Sequence, residues 1–310
     1  MRNSRSRASL PGSILFVLGS LASAPAFAAP QAAEKRGREE SIVDALNEAI
    51  PLGKEAIRAF VKPVLDTVTI SPSEEMEIGD AFYRQIGVEM KGKLDSRRRE
   101  VDYVSAVGQA LARQVGRKGI RYKFHVVEED VPNAFAIPGG HVFVYRGLMD
   151  KIVQNEAQLA AVLGHEIGHV DAEHTVDFYK PVKASSQLPF ADVTTMVAAL
   201  VSRMLSSAYG EAQESQSDLI GTRLAFAAGY EPLEGAQLQR TLRGMKMGAA
   251  PDPITGVADA LVRSHPPSAR REAAIEMESK ALRSKEPGRV LSRGDTNYQR
   301  RVPVATQPLQ

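Results

Sequence analysis

The feature that most constrains this chain is the stretch from His165 to His169, which reads His-Glu-Ile-Gly-His. Apolar residues such as Ile167 and Val170 recur around it with the spacing of a helix that has one buried side. On an α-helix that advances about 100° per residue, the two histidines lie on one face, one turn apart. Two imidazoles at this spacing can hold one metal ion, and Glu166 then lies beside that ion.

The pattern His-Glu-x-x-His is typical of zinc-dependent proteases, in which the glutamate takes a proton from a water molecule. A match of five residues is short, and a solvated helix with two surface histidines is the alternative. The flanking residues favour a buried helix, because Ala161 and Gly168 leave room beside the face that carries His165. We therefore predict a metal helix that is capped by Asn155 and runs to about His174.

Composition places the chain among ordinary globular proteins and excludes several kinds of site. Of its 310 residues, 43% are hydrophobic and 25% are charged, which is enough to bury a substantial core. The formal net charge of +2 gives no reason to expect a nucleic-acid partner. The sequence contains no cysteine, which excludes disulfides, thiolate metal sites and a cysteine nucleophile.

The N-terminus has the pattern of an export signal. Three arginines within the first seven residues precede an apolar run over residues 14–21, and Ala26-Phe27-Ala28 forms a small-x-small cleavage site. We therefore predict a signal peptide over residues 1–28 and secretion across the inner membrane into the periplasm. An uncleaved N-terminal anchor is the alternative.

Residues 29–70 are predicted to form a polar leader followed by amphipathic helices. Apolar residues such as Ile42, Leu46 and Ile57 recur there with helical spacing. Helices of this kind usually pack on their own domain. The alternative is peripheral contact between residues 41–66 and a membrane surface.

The main domain is predicted over residues 71–280. Ser71 and Pro72 are suited to begin its first helix, with acidic residues in the first turn. Residues 281–310 become charged, then polar and proline-containing, so we predict a flexible C-terminal tail.

A small sheet is predicted before the metal helix. Residues 121–127 alternate between polar and apolar, and a Pro-Gly-Gly turn leads into a further strand over residues 141–145. We predict that the outer edge of this strand holds an extended substrate peptide by main-chain pairing at Val142, Phe143 and Val144. A hairpin with both edges covered is the alternative.

A catalytic zinc ion needs a third protein ligand and an open position for water. Glu214 and Asp218 lie four residues apart on a predicted helix from about Tyr209 to Ala228, and small residues continue the same face. That face can pack closely on the metal helix. We therefore predict Glu214 as the third ligand and Asp218 as the acceptor that orients a ligating imidazole. An exposed acidic helix face is the alternative.

Together these motifs resemble the M-48 family of zinc metalloendopeptidases, which contains HtpX, BepA and the CAAX prenyl proteases. The resemblance also rests on the segment Asn-Ala-Phe-Ala-x-Pro-Gly-Gly and covers about residues 71–271. It implies an α+β, mainly helical zincin-like (gluzincin) domain with a small β-sheet beside the metal helix. It further implies one Zn²⁺ per chain, held by His165, His169 and Glu214, with Glu166 as the general base.

Two further histidines match positions of this family. His265, within Ser-His-Pro-Pro, resembles a late His-Pro segment. It can stabilise the oxyanion as a catalytic residue, or it can occupy the open metal position and keep the enzyme latent; capping a helix is the alternative. His174 follows the motif, but the helical period places it away from the ligands, so we assign it a structural role.

The resemblance implies a zinc-dependent endopeptidase of the cell envelope that degrades misfolded or misassembled proteins as quality control. Its expected partners are unfolded or misassembled envelope proteins. The sequence lacks the transmembrane helices of HtpX and the C-terminal helical repeats of BepA, so it resembles short, soluble, secreted members. The alternative function is that of an envelope chaperone or binding factor whose zinc site is latent or rarely active.

Overall fold

The computed structural model describes residues 43, 47, 53–185, 209–247 and 261–308. Most of these residues are helical, and three short strands form one sheet, which confirms the predicted α+β class. The predicted signal peptide over residues 1–28 lies outside the described residues.

Eleven helices and three strands are numbered here in chain order within the described ranges. The helices are α1 (Lys54–Thr67), α2 (Pro72–Glu89), α3 (Arg98–Ala112), α4 (Arg146–Lys151), α5 (Glu156–Asp171), α6 (His174–Asp177), α7 (Lys180–Ser185), α8 (Glu211–Ala227), α9 (Leu233–Met247), α10 (Ala269–Lys285) and α11 (Asp295–Arg300). The strands are β1 (Lys123–Val127), β2 (Ala134–Ile137) and β3 (His141–Tyr145).

The sheet lies between two apolar cores. Because side chains alternate along a strand, Val142 and Val144 of β3 enter the first core while Phe143 enters the second. The first core is completed mainly by α3, α5 and α8, and the second by α1 and α2. All of β2 and most of β3 are therefore buried on both faces.

The strand order is β1-β3-β2, so β3 is central. It pairs with β1 in parallel, with Phe124 opposite Val142, and with β2 in antiparallel, with Phe135 opposite Phe143. The prediction that Val142, Phe143 and Val144 form a substrate-binding edge is therefore wrong, because both edges of their strand are already paired. Among the described residues, β2 pairs with no other strand on its outer side.

Helix α5 carries the two histidines of the motif and begins as predicted. The Asn155 side chain accepts a hydrogen bond from the Gln158 N–H, which satisfies a backbone group that the first turn leaves unpaired. The helix ends at Asp171, before the predicted end at His174. Glu173 adopts a left-handed conformation, with φ of 62°, and turns the chain there.

Helices α5 and α8 approach each other at glycine. A Cβ atom placed on Gly221 would lie 2.7 Å from the backbone carbon of Gly164 and 2.7 Å from the His165 nitrogen. The prediction that small residues allow the two helices to pack closely is confirmed. This approach brings Glu214 and Asp218 of α8 beside the histidines of α5.

The segment after α10 is not a loose tail, in contrast to the expectation for residues 281–310. Tyr298 is buried, and its hydroxyl donates a hydrogen bond to the Met149 carbonyl. The Val304 N–H donates to Glu156 Oε1, at 2.8 Å, in the first turn of α5. The polar composition favoured disorder, but these long-range contacts attach the segment to α4 and to the metal helix.

Helix α1 packs on the domain. Its apolar residues Ile57, Val61 and Leu65 are buried in the second core, so they are not available to a membrane surface. Most of residues 41–52, the other part of the proposed membrane contact, lies outside the described residues. Within the described ranges, no helix combines the length and the hydropathy needed to cross a bilayer.

Candidate metal centre

Four donor side chains converge between α5, α8 and the segment before α10. They belong to His165, His169, Glu214 and His265, and each offers one atom within 4.8 Å of the others. The Nε2 atoms of the two α5 histidines are 3.1 Å apart, and each lies within 3.4 Å of a Glu214 carboxylate oxygen. His265 Nδ1 lies 3.1 Å from His165 Nε2 and 3.1 Å from Glu214 Oε1.

The four donors are enclosed by protein. His169 and Glu214 are at most 1% exposed, and the side chain of His165 is 11% exposed. Imidazole nitrogen and carboxylate oxygen are the usual zinc ligands in proteins that lack thiolate ligands. The chemistry, number and burial of the donors therefore fit a zinc ion.

The pKa values of Glu214 and Asp218 are lowered, and these two carboxylates favour a proton on His165. Burial raises the pKa of Glu214, but the charges of His265, Arg271 and His165 outweigh it and hold that pKa well below its usual value. Burial lowers the pKa of His165, but Glu214 and Asp218 outweigh it and raise that pKa to about 10. A metal ion would replace this proton, because a ligating imidazole is neutral.

Asp218 orients the first histidine of the motif. Its Oδ1 lies 2.9 Å from His165 Nδ1, so the Nδ1–H donates to the carboxylate and Nε2 faces the other donors. Asp218 is in turn held by Arg271, whose Nε and Nη2 donate to its two oxygens at 2.7 and 2.9 Å. The sequence prediction for Asp218 did not include this arginine.

Arg271 connects three parts of the site. Besides Asp218, its Nη1 lies 2.8 Å from Glu214 Oε2 and donates to the Pro266 carbonyl at 3.0 Å. Pro266 follows His265, so one guanidinium fixes both α8 carboxylates and the segment that carries the fourth donor. Arg271 is 1% exposed. In the sequence, its position six residues after His265 is the feature that could have indicated its place in the site.

His174 contacts the second histidine of the motif, so the prediction that it lies away from the ligands is wrong. The left-handed Glu173 turns α6 back, and His174 Nδ1 lies 3.1 Å from His169 Nδ1. Its Nε2 lies 2.9 Å from Gln216 Oε1. One proton arrangement satisfies these contacts: His169 Nδ1–H donates to His174, and His174 Nε2–H donates to Gln216. His169 Nε2 then remains free to face the other donors.

Glu166 lies beside the donors rather than among them. Its carboxylate accepts a hydrogen bond from the Ala136 N–H of β2, and its Oε1 lies 3.5 Å from His265 Nε2. Burial raises the pKa of Glu166 above its usual value, although the charges of His265 and His165 oppose this. A carboxylate with a raised pKa at this place can accept a proton near neutral pH.

An aromatic ring covers the side of the site next to His169. Tyr209, which precedes α8, stacks on His169 with ring centroids 3.9 Å apart and an interplanar angle of 26°. Burial raises the pKa of the Tyr209 hydroxyl well above its usual value, so this ring stays neutral. From the sequence, Tyr209 is predicted only as the approximate start of its helix.

Comparison with known proteins identifies a family whose sequence profile covers these motifs. The sequence profile of Peptidase family M48 matches residues 98–279, more than half of the chain. The fission-yeast (Schizosaccharomyces pombe) mitochondrial metalloendopeptidase OMA1 is 30% identical over 180 residues, which are 56% of this chain and 51% of the relative. The β-barrel assembly-enhancing protease of Escherichia coli is 26% identical over 180 residues, which are 53% of this chain and 36% of the relative.

The metalloprotease LoiP of Escherichia coli is 27% identical over 146 residues, which are 42% of this chain and 54% of the relative. The matched regions thus span about half the length of two of these relatives and about a third of the other. The profile match includes α5, α8 and the His265 segment, which carry all four donors. The chain therefore belongs to Peptidase family M48.

Proposed function

We propose that this protein is a zinc-dependent endopeptidase that acts on unfolded or misassembled proteins of the cell envelope. One observation carries the proposal: the Glu166 carboxylate lies next to a buried set of zinc-type donors and has a raised pKa. A metal site that served only to stabilise the fold would need no such base. Family membership and the export pattern over residues 1–28 support the class of reaction and the compartment.

His165, His169 and Glu214 would hold the zinc ion. A bound zinc ion lowers the pKa of water and polarises a carbonyl group, which is the chemistry that peptide hydrolysis needs. Glu166 takes the proton of the attacking water and passes it to the leaving amine. The Ala136 N–H keeps the Glu166 carboxylate in place for both transfers.

The substrate strand we now propose is β2 rather than β3. Among the described residues, the outer edge of β2 has no strand partner, and Ala136 of this strand contacts Glu166. A peptide that extends along this edge would present its carbonyl beside the general base. Main-chain pairing of this kind places few demands on sequence, which suits unfolded substrates.

The alternative function is an envelope chaperone or binding factor with a latent site. One observation favours it: His265 supplies a fourth donor, and four protein ligands fill a tetrahedral zinc site and leave no position for water. Latency and catalysis are compatible if His265 moves away. The two functions differ in whether any substrate is cleaved.

The test is proteolysis of casein by the zinc-loaded protein, together with zinc content by elemental analysis. We expect the wild type to cleave casein and Glu166→Gln to retain zinc without cleaving. Glu77→Gln, an exposed glutamate on α2, is the matched control and should behave as wild type. Turnover at the wild-type rate by Glu166→Gln would refute the mechanism. Suppression of aggregation by a Glu166→Gln protein, in the absence of wild-type cleavage, would support the binding factor.

A further inference from the structure

A mainly apolar pocket opens next to the general base. His165, Glu166 and His265 line it, together with residues of α5, α8, α9 and α10. Its walls include Leu238 and Ile275, which are buried. Because Glu166 lines the pocket, a peptide held at Glu166 would place one of its side chains beside it.

Apart from the general base Glu166, the acidic and arginine side chains that line the pocket are already paired. Asp218 and Arg271 line it, but they bind each other through two hydrogen bonds. Glu231, another lining residue, forms an ion pair with Arg283. A charged substrate side chain would thus lose its hydration without gaining a free partner here, which is costly.

The pocket is small. Its volume is about 60 Å³, whereas a cavity of about 150 Å³ takes a benzene molecule. An aromatic ring is thus too large without movement of the walls. On the same scale the space takes about two or three non-hydrogen atoms, which is the branched end of a valine, threonine, isoleucine or leucine side chain.

One polar atom refines this choice. Gln239 lines the pocket and is 9% exposed, and its Oε1 has no hydrogen-bond partner among the described residues. A threonine hydroxyl can donate to this oxygen, so threonine is accepted beside the aliphatic side chains.

Gly235 of α9 sets the width of the pocket. A Cβ atom at this position would lie 3.4 Å from the Ala161 Cβ and 3.6 Å from Ile275 Cγ2, which are ordinary contact distances. A single methyl group therefore fits without a clash but occupies part of the space. A larger side chain at position 235 would fill it.

We propose that this pocket selects substrates with a short, branched, uncharged side chain, namely valine, threonine, isoleucine or leucine, next to the scissile bond. The proposal rests on the endopeptidase function proposed above. Gly235 is its specificity-determining residue, because the absence of a side chain there leaves the space that the substrate fills.

The test compares Gly235→Val with Gly244→Val on the same helix. Gly244 is exposed, and nothing lies within 4 Å of a Cβ atom placed there, so it controls for valine in α9. Cleavage sites in casein are mapped by mass spectrometry. The value of kcat/KM is measured for peptides that differ only at the selected position, which is the residue next to the scissile bond whose side chain enters the pocket. In an apolar pocket one methylene is worth about 10- to 200-fold in kcat/KM.

We expect wild-type cleavage sites to share a valine, threonine, isoleucine or leucine at one fixed position. Gly235→Val should lower kcat/KM for leucine peptides at least about tenfold and shift cleavage towards alanine and glycine at that position. Gly235→Ala should give an intermediate effect, and it remains informative if the valine variant does not fold. Gly244→Val should retain the wild-type pattern.

Aromatic or charged residues at the selected position, or unchanged cleavage sites in both Gly235 variants, would overturn the pocket proposal while leaving the peptidase intact. If the wild type cleaves nothing, the proposed function fails instead. The pocket is then tested by binding of fluorescent leucine and phenylalanine peptides to the zinc-loaded protein. A preference for leucine that Gly235→Ala weakens would support it, and equal binding would overturn it.

Discussion

Arg271 and Asp218 form a two-point ion pair inside the domain, with Nε 2.7 Å from Oδ2 and Nη2 2.9 Å from Oδ1. The same Oδ1 accepts the hydrogen bond from His165 Nδ1. Because both guanidinium contacts fix the plane of the carboxylate, they also fix the direction in which the imidazole presents its Nε2. A residue on α10 thus positions a donor on α5 without touching it.

Replacing Arg271 by lysine should weaken metal binding. A lysine retains the charge but cannot bind both Asp218 oxygens in one plane, so the His165 ring loses its fixed orientation. Loss of such an outer contact costs about 10- to 100-fold in metal affinity. Zinc affinity is measured by competition with a chromophoric chelator. The neighbouring Arg270 is exposed, and Arg270→Lys should leave affinity unchanged; equal affinity in all three proteins would contradict the prediction.

Replacing His265 by alanine should raise proteolysis and lower zinc affinity. The imidazole occupies the fourth donor position in this structure, so its removal opens a place for water and costs one ligand. Casein hydrolysis is compared at saturating zinc, and affinity is measured separately. Lower hydrolysis at full zinc occupancy would instead assign His265 the stabilisation of charge on the substrate.

Replacing Gly221 by alanine should separate α5 from α8. The new methyl group would lie 2.7 Å from backbone atoms that cannot rotate away, so the helices must move apart. Overpacking of this kind costs about 1–3 kcal/mol in the free energy of unfolding, and it moves Glu214 away from the histidines. Urea unfolding and zinc affinity measure both effects. Gly87→Ala on α2 is the control, since nothing lies within 4 Å of a Cβ atom there; unchanged stability of Gly221→Ala would contradict the close approach.

The stability of the protein should fall as the pH falls from about 6.5 to about 4. Burial lowers the pKa of His141 to about 4, aided by the charges of His125 and Lys123 and opposed by the hydrogen bond to Asp80. His141 is 1% exposed and stacks on Tyr83. Between the two pH values the His141 imidazole binds a proton in the unfolded chain but not in the folded chain. The contribution of His141 to the free energy of unfolding is therefore fully present above about pH 6.5 and decreases below it.

His141→Gln should flatten this slope, which is measured by chemical denaturation at a series of pH values. All other histidines are common to both proteins, so the difference between the curves isolates His141. Asp80→Asn removes the group that raises the His141 pKa and should extend the decline to lower pH. Parallel curves for wild type and His141→Gln would contradict the prediction.

The local features of the site could be predicted from the sequence because they depend on short spacings. The interval between His165 and His169 fixes their common helix face, and the pair Glu214 and Asp218 forms a second face by the same geometry. Asn155 caps its helix by accepting a hydrogen bond from the N–H of Gln158, only three residues further along the chain. Each of these predictions required one helical period and no tertiary contact.

The missed features depend on contacts between distant residues. Arg271 reaches Asp218 across 53 residues of sequence, and no periodic pattern marks that pairing. The central place of β3 follows from the parallel partner β1, whereas the turn before β3 indicated only its antiparallel neighbour. His174 was misplaced because one left-handed residue, Glu173, ended the helix early.

The contact between Arg271 and Glu214 affects when the protein can acquire its metal. In small zinc domains the ligands have no other partner, so the chain stays unfolded until the ion arrives. Here the Nη1 of Arg271 lies 2.8 Å from Glu214 Oε2, so the chain itself supplies a cation for its buried carboxylates. Folding can therefore precede metal loading. Under the proposed function, the supply of zinc, rather than the completion of synthesis, would then decide when the protein becomes active.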